Sequence, residues 1–251
     1  VGVMIFDDNG KLTGEHRFLG LYASAAYTRR PWDIPLVRRN VTAVMDRSVY
    51  KPDSHGGKAL LHIMETLPRD ELFQSDPEEL FHTVTSVFDL QERRQTRLLI
   101  RQDRFGRFFS CLVYLPRERF NTETRQTLQE ILTRALNGVR IDYTVQLDES
   151  VLARLHLMIW VDPTRQGAAK VIDQDGLQQA VADAVRSWSD RLGEVLGDKH
   201  GEETGGAWTR TFSDAFPAAY VEDVAPWVAA FDVEKLARLD SEDSLELSLY
   251  R

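Results

Sequence analysis

Hydrophobic and polar residues alternate with a period of two in four stretches between residues 97 and 161. Such alternation is typical of strands with one buried face, and it predicts strands over 97–103, 108–115, 141–147 and 155–161. Gly106 lies between the first two, where a positive φ suits a tight turn, so these strands should pair antiparallel. Between the second and third, apolar residues recur at helical spacing from Leu128 to Leu136, with Asn121 as the cap.

Two more helices are predicted on either side of this region. Asp76-Pro77-Glu78-Glu79 combines a side-chain cap, a proline suited to the first turn and a glutamate that can bond back to the cap, so a helix should begin there. Apolar residues at helical spacing predict one long helix over 175–196. A polar loop over 197–206 and a helix broken at Pro217 and Pro226 should follow.

The first part of the chain predicts a separate module. Asn9-Gly10, a strong hairpin signal, lies between apolar runs at 4–6 and 18–22, and a helix should follow from about Pro35. One hairpin and one helix bury too little apolar surface to form a domain alone. We therefore expect residues 1–50 to be the end of another α/β module, and the chain to be a piece of a longer polypeptide.

Turn-forming residues over 51–58 predict a linker and a domain boundary. From Ala59 onward the predicted order is strand or short helix, helix, strand, strand, helix and strand, followed by one extra strand and a helix. This order predicts an α+β fold with a ferredoxin-like βαββαβ sheet that has helices on one face. The predicted units are 51–165 for this domain, 166–206 for the long helix and polar loop, and 207–251 for a helical connector and the start of a further module.

Composition narrows the range of functions. The formal charge of −8 disfavours binding to nucleic acid or to anionic membranes, and no apolar stretch is long enough to cross a bilayer. The single cysteine, Cys111, allows no internal disulfide, which suits a reducing cytoplasm, and its inward strand position predicts a buried thiol. The sequence has no glycine-rich nucleotide loop, no nucleophile elbow and no histidine spacing typical of a metal site.

Arginines are concentrated around the first predicted hairpin of the sheet. Six of them lie within fifteen residues, with phenylalanines between them, at positions 93, 94, 97, 101, 104 and 107. The glycine and aromatic positions do not fit the motif of RNA-recognition modules, so the favoured interpretation is an ion-pair network between subunits or domains. The alternatives are RNA binding and an effector site in which Arg101, Arg104 or Arg107 clamps a carboxylate. The predicted effector or interface residues are Arg97, Arg101, Arg104 and Arg107.

Several long phrases carry a family resemblance. They are 16–27, 52–61, 67–74, 101–113, 116–122 and 149–154, with a weaker one at 216–220. In these phrases, which include Asp103-Arg104-Phe105-Gly106-Arg107-Phe108-Phe109, the chain resembles the large multidomain bacterial NAD-specific glutamate dehydrogenases. The resemblance implies an origin in the non-catalytic region ahead of the catalytic domain, where that family carries ACT-like and PAS-like modules. Residues 1–50 would be the C-terminal part of a PAS/GAF-like module and 51–165 an ACT-like domain.

The resemblance also implies a function. The parent enzyme would convert L-glutamate to 2-oxoglutarate and ammonia with NAD, in the cytoplasm, whereas this segment would hold no catalytic, cofactor-binding or metal residue. ACT modules that bind amino acids usually have a glycine in the loop between the first strand and the first helix, and residues 67–76 contain none. We therefore expect a regulatory and assembly segment that forms a homo-oligomer and contacts neighbouring domains. The alternative is an ACT module that senses an amino-acid effector through the arginine cluster.

Overall fold

The computed structural model describes residues 2–17, 20–91, 95–147, 150–162 and 172–239. The chain forms two compact units, Val1–Arg93 and Arg94–Arg251. None of the helices within the described ranges combines the length and the apolar character that crossing a bilayer requires.

The first unit begins with a hairpin in which β1 (Gly2–Phe6) pairs antiparallel with β2 (Leu12–Arg17). The second arm was expected over 18–22 but lies earlier in the chain. The reason is local, because the Asp7 carboxylate accepts the N–H groups of Asn9 and Lys11, both at 2.9 Å, and closes a tight turn at once. Residues 18 and 19 lie outside the described residues.

Helices make up the rest of the first unit. They are α1 (Ala25–Thr28), α2 (Val37–Arg47), α3 (His55–Thr66), α4 (Arg69–Gln74) and α5 (Pro77–Gln91), with a short 3-10 turn at Pro31–Asp33. Helix α2 packs against α3 and α5. The shared core is formed by buried apolar side chains, among them Val41, Val44, Leu60, Ile63, Met64, Leu80 and Val84.

The predicted start of α5 is confirmed by a reciprocal cap. Asp76 Oδ1 accepts the N–H of Glu79 at 2.9 Å, and Glu79 Oε2 accepts the N–H of Asp76 at 3.0 Å. The two units divide at residues 93–94, so the boundary predicted at 51–58 is not where this division lies. Helix α3 begins inside that stretch because Ser54 caps it, with its Oγ accepting the N–H of Gly57 at 3.1 Å.

The second unit contains a four-stranded antiparallel sheet in the order β3-β4-β6-β5. Its elements are β3 (Arg97–Gln102), β4 (Phe108–Pro116), α6 (Thr122–Ala135), β5 (Gly138–Gln146), β6 (Leu152–Val161) and α7 (Gln174–Val185). Apolar side chains of α6 and α7, among them Leu128, Leu132 and Val181, join one face of the sheet in a common core with Cys111, which is buried as predicted. The predicted α+β class, with helices covering a small antiparallel sheet, is confirmed.

The order of elements differs from the prediction in one respect. The observed order is ββαββα, which results when the first strand and helix of a βαββαβ chain are moved to its end without changing the strand arrangement. Residues 59–66 and 77–91, expected to open the domain, belong to α3 and α5 of the first unit. Helix α7 occupies the second helical position on the sheet instead.

The second unit continues with helices. These are α8 (Trp188–His200), α9 (Glu202–Phe212), α10 (Ala218–Asp223) and α11 (Pro226–Leu236). The breaks predicted at Pro217 and Pro226 are confirmed, since α10 starts directly after Pro217 and α11 starts at Pro226. The start of a further module predicted near the end of 207–251 falls largely on residues 240–251, outside the described residues.

Two predictions for this helical part were wrong. The single helix over 175–196 is divided at Arg186, because Ser187 and Asp190 form a capping box that starts α8. The polar loop over 197–206 is helical on both sides of Gly201, which has φ 83° and makes the turn between α8 and α9.

Candidate functional site

The turn between β3 and β4 organises the central part of the predicted arginine cluster. Gly106 adopts φ 65°, as the sequence predicted, and the buried Asp103 lies beneath the turn. Its carboxylate accepts the backbone N–H groups of Phe105 at 3.2 Å and Arg107 at 3.3 Å. It also accepts two bonds from the Arg107 guanidinium, at 2.8 Å from Nε and 3.0 Å from Nη2. Arg107 is therefore held within its own turn.

Electrostatics strengthen this arrangement. The side-chain hydrogen bond from Arg107 holds the pKa of Asp103 below its usual value, against the opposing effect of burial. The same bond raises the pKa of Arg107. The guanidinium also lies over the Phe105 ring, 5.0 Å from its centroid, and near the Phe108 ring at 5.8 Å.

The other predicted arginines lie elsewhere on the hairpin. Arg97 is exposed at the start of β3, opposite Tyr114, and Arg101 is half-buried opposite Ser110. Their Cα atoms are four residue steps apart along the strand, a distance of roughly 13 Å. Arg104 is exposed in the turn, and positions 93 and 94 lie outside the described residues. The cluster is therefore spread along the hairpin, and its role as an effector or interface site stays a prediction.

A buried serine–histidine pair connects two central strands of the sheet. Ser110 Oγ on β4 and His156 Nε2 on β6 are 2.8 Å apart. Such a pair can activate a nucleophile where a substrate reaches it, but both side chains here are buried in the chain. The pair instead satisfies polar groups inside the sheet. The alternation placed His156 on the polar face of its strand, whereas its partner depends on the register between β4 and β6.

A second polar cluster joins α8 to α11. Glu234 accepts hydrogen bonds from Lys199 and from His200, the latter at 3.0 Å. These bonds, with that from Lys199 the largest, hold the pKa of Glu234 below its usual value despite partial burial. The Lys199 ammonium also lies 3.7 Å from the centroid of the Phe231 ring. Sequence reasoning missed this cluster because its members are far apart in the chain and no motif connects them.

Open grooves occur on the surface of the second unit. One, of about 700 Å³, runs between α6 and β5 and is lined mainly by polar residues: Gln126, Gln129, Glu130, Thr133, Arg134 and Asn137. Another, of about 750 Å³, is more apolar and includes Ile131, Ala184, Val195 and Trp227. Across the ranges that the structure describes, no group of three or more His, Cys, Asp or Glu side chains is placed to hold a metal ion.

Matches to family models and to named proteins show which protein family the chain belongs to. Three models of glutamate dehydrogenase match in succession: helical motif 1 at residues 34–93, the ACT2 domain at 97–189 and helical motif 2 at 195–239. The NAD-specific glutamate dehydrogenase of Halomonas elongata is 41% identical over 98% of the chain. Proteins of the same name from Pseudomonas aeruginosa and Mycobacterium tuberculosis are 37% and 34% identical, over 100% and 93% of the chain. The chain belongs to the large glutamate dehydrogenases.

The domains of this glutamate dehydrogenase region correspond to the structure. Helical motif 1 contains α2 to α5, the ACT2 domain contains the four-stranded sheet with α6 and α7, and helical motif 2 extends from the end of α8 through α11. The chain spans about 15% of the length of each of these relatives. It comprises the ACT2 domain and the two helical motifs of that family, and the family membership predicted from the sequence is confirmed.

Proposed function

We propose that this region regulates and assembles an NAD-dependent glutamate dehydrogenase in the cytoplasm. The parent chain would oxidise L-glutamate to 2-oxoglutarate and ammonia while it reduces NAD. The observation that carries the proposal is the succession of the ACT2 domain and two helical motifs, together with relatives named NAD-specific glutamate dehydrogenase. NAD would bind in another part of the parent chain.

The chemistry of the described residues supports a non-catalytic role. A dinucleotide site of the common kind uses parallel strands and a glycine-rich loop at a helix N-terminus, whereas this sheet is antiparallel. The groups most suited to proton transfer, Ser110 and His156, are buried against each other. Asp103 already accepts bonds from Arg107 and from the turn backbone.

Two measurements on the chain test this proposal. Incubated with L-glutamate and NAD, the chain alone is expected to produce no NADH, and steady production would contradict the non-catalytic role. In sedimentation velocity experiments the chain is expected to form oligomers as its concentration rises. Monomers alone at high concentration would contradict the assembly role.

The second candidate function is amino-acid sensing at the β3–β4 hairpin. It is favoured by Arg104, which is exposed in the turn and has a guanidinium able to take a carboxylate in a forked geometry. Calorimetry against millimolar L-glutamate and 2-oxoglutarate would then show binding that the Arg104→Ala variant loses. Arg134→Ala, an exposed arginine on α6, is the matched control. Absence of heat with the unmodified chain would exclude this function.

A further inference from the structure

The two edges of the ACT2 sheet differ in how they are covered. Edge strands expose backbone N–H and C=O groups that can pair with another strand. At β3, the Gln178 side chain on α7 occupies part of this edge: its Oε1 accepts the Leu98 N–H at 2.7 Å, and its Nε2 donates to the Thr96 carbonyl at 3.0 Å. Among the described residues, β5 pairs with β6 alone.

Strand β5 exposes apolar side chains along this open edge. Val139 is 60% exposed and Tyr143 48% exposed, and Val145 and, directly after the strand, Leu147 are also exposed. Edge strands that stay solvated usually carry charges or prolines, and β5 carries two charges, Arg140 and Asp142, beside these apolar residues. The apolar residues favour a covered edge, provided that the partner strand matches both charges.

The charges on β5 are arranged for pairing with an identical strand. Arg140 and Asp142 lie on the same face, two residues apart, with Arg140 Nη2 2.9 Å from Asp142 Oδ2. Trp160 fixes them, because its Nε1 donates to Asp142 Oδ2 at 2.7 Å and its ring centroid lies 4.5 Å from the Arg140 guanidinium. The two side chains remain 61% and 54% exposed, so each can also meet a charge across the strand edge.

Two β5 strands can pair antiparallel with Ile141 of one copy opposite Ile141 of the other. This register forms two pairs of opposite charges. In that register Arg140 lies opposite Asp142 of the second copy, and Asp142 lies opposite Arg140 of the second copy. Directly opposed side chains of antiparallel strands are close enough for charge pairs to stabilise the contact. A symmetric interface of this kind repeats every favourable contact on both sides of the axis. Glu130 and Arg134, exposed one turn apart on α6 beside β5, add charges of both signs near the same edge.

We propose that β5 is the contact strand of a symmetric dimer in which a second copy of this chain pairs antiparallel with it about Ile141. The four-stranded sheet is thereby extended into one of eight strands. This inference rests on the proposed assembly function and names its surface.

Charge reversal at β5 tests the inference in the 251-residue chain. Arg140→Asp places two carboxylates opposite two carboxylates, and Asp142→Arg places two guanidinium groups opposite two others. Each variant is expected to dimerise at least about tenfold more weakly than the unmodified chain, a change of about 1.4 kcal/mol. An equimolar mixture of the two variants restores opposite charges at both positions and should form heterodimers. The chain that carries both substitutions should dimerise with itself.

The mixture separates an intermolecular contact from a local defect. If the substitutions only damaged the cluster at Trp160, mixing the two variants would restore nothing, and the inference would be overturned. Arg210→Asp, an exposed charge reversal on α9, is the matched control and should leave the dimer unchanged. A dimer that tolerates both β5 variants would refute this contact but keep the assembly role, whereas an unmodified chain that stays monomeric would refute both.

Discussion

Substitution of two neighbouring glycines in α9 should change stability in opposite directions. Gly205 is buried, and a Cβ there would lie 2.6 Å from the backbone nitrogen of Gly197 and from the carbonyl carbon and oxygen of Leu196. Backbone atoms of a packed helix cannot yield as a flexible side chain can, so α8 and α9 would have to separate. The adjacent Gly206 has room, since the nearest atom to its added Cβ is Arg210 Nη1 at 3.6 Å.

The magnitudes follow from two opposing effects. Overpacking at Gly205→Ala should cost about 2–3 kcal/mol of unfolding free energy, the upper part of the usual range, because the three closest atoms all belong to backbone; the higher helix propensity of alanine returns about 1 kcal/mol. The net expectation is a loss of about 1–2 kcal/mol, or a fall in Tm of about 2–8 °C for a unit of this size. Gly206→Ala keeps only the propensity gain, so it should raise stability by about 1 kcal/mol and Tm by about 2–4 °C.

Urea and thermal unfolding followed by circular dichroism measure both variants on the 251-residue chain. Tryptophan fluorescence serves as a second probe, because Trp208 lies in α9 with its ring 4.6 Å from that of His200. If Gly205→Ala proves as stabilising as Gly206→Ala, the two helices do not approach closely at this point.

Three further predictions concern separate parts of the second unit. Because the folded-state pKa of Glu234 is depressed, its stabilising effect should be present above about pH 4.5 and be lost as the pH falls through the lowered pKa. Glu234→Gln should therefore be less stable than the unmodified chain at pH 7 and should lose less unfolding free energy on acidification. Urea titrations at several pH values measure both effects. Asp103→Asn removes the carboxylate that holds the β3–β4 turn, so trypsin should cleave after Arg104 faster than in the unmodified chain, and an equal rate measured by mass spectrometry would contradict the role of this carboxylate. Leu157→Ala creates a cavity in the fully buried core and should cost about 2–5 kcal/mol in urea unfolding, and a cost below about 1 kcal/mol would mean that β6 does not lie at the centre of the sheet.

Features encoded by a few adjacent residues could be predicted from the sequence. The positive φ of Gly106 and the reciprocal cap of Asp76 and Glu79 each depend on a single turn of chain, and both are present. The capping box of Ser187 and Asp190 carries the same kind of local signal. It was missed because the apolar spacing continues across it and favoured one uninterrupted helix.

Features that depend on distant contacts could not be predicted in this way. A glycine such as Gly205 reads as a loop residue until a second helix is known to pack against it. The bond between Ser110 and His156 requires the register of β4 against β6. Periodicity shows that α3 and α5 have apolar faces but does not show which elements those faces pack against. Their assignment to the first unit could therefore not be predicted.

The arginine cluster shows the same limit for the candidate site. The density of arginines in the sequence does not show that Asp103 already binds Arg107. It also does not show that Arg97 lies at the start of β3 whereas Arg104 lies in the turn beyond its end. Because these arginines are spaced along the hairpin, side chains that are close in the sequence lie in separate environments.

The two hydrogen bonds from Gln178 join the strand by which the chain enters the ACT2 sheet to the helix by which it leaves. These bonds hold the segments that enter and leave the module at a fixed distance from each other. Insertions in the connections between β4 and β6 would lengthen the chain inside the module without changing that distance. Longer connections inside the module can therefore be accommodated without moving the segments that join it to the rest of the chain, as long as the Gln178 hydrogen bonds are kept.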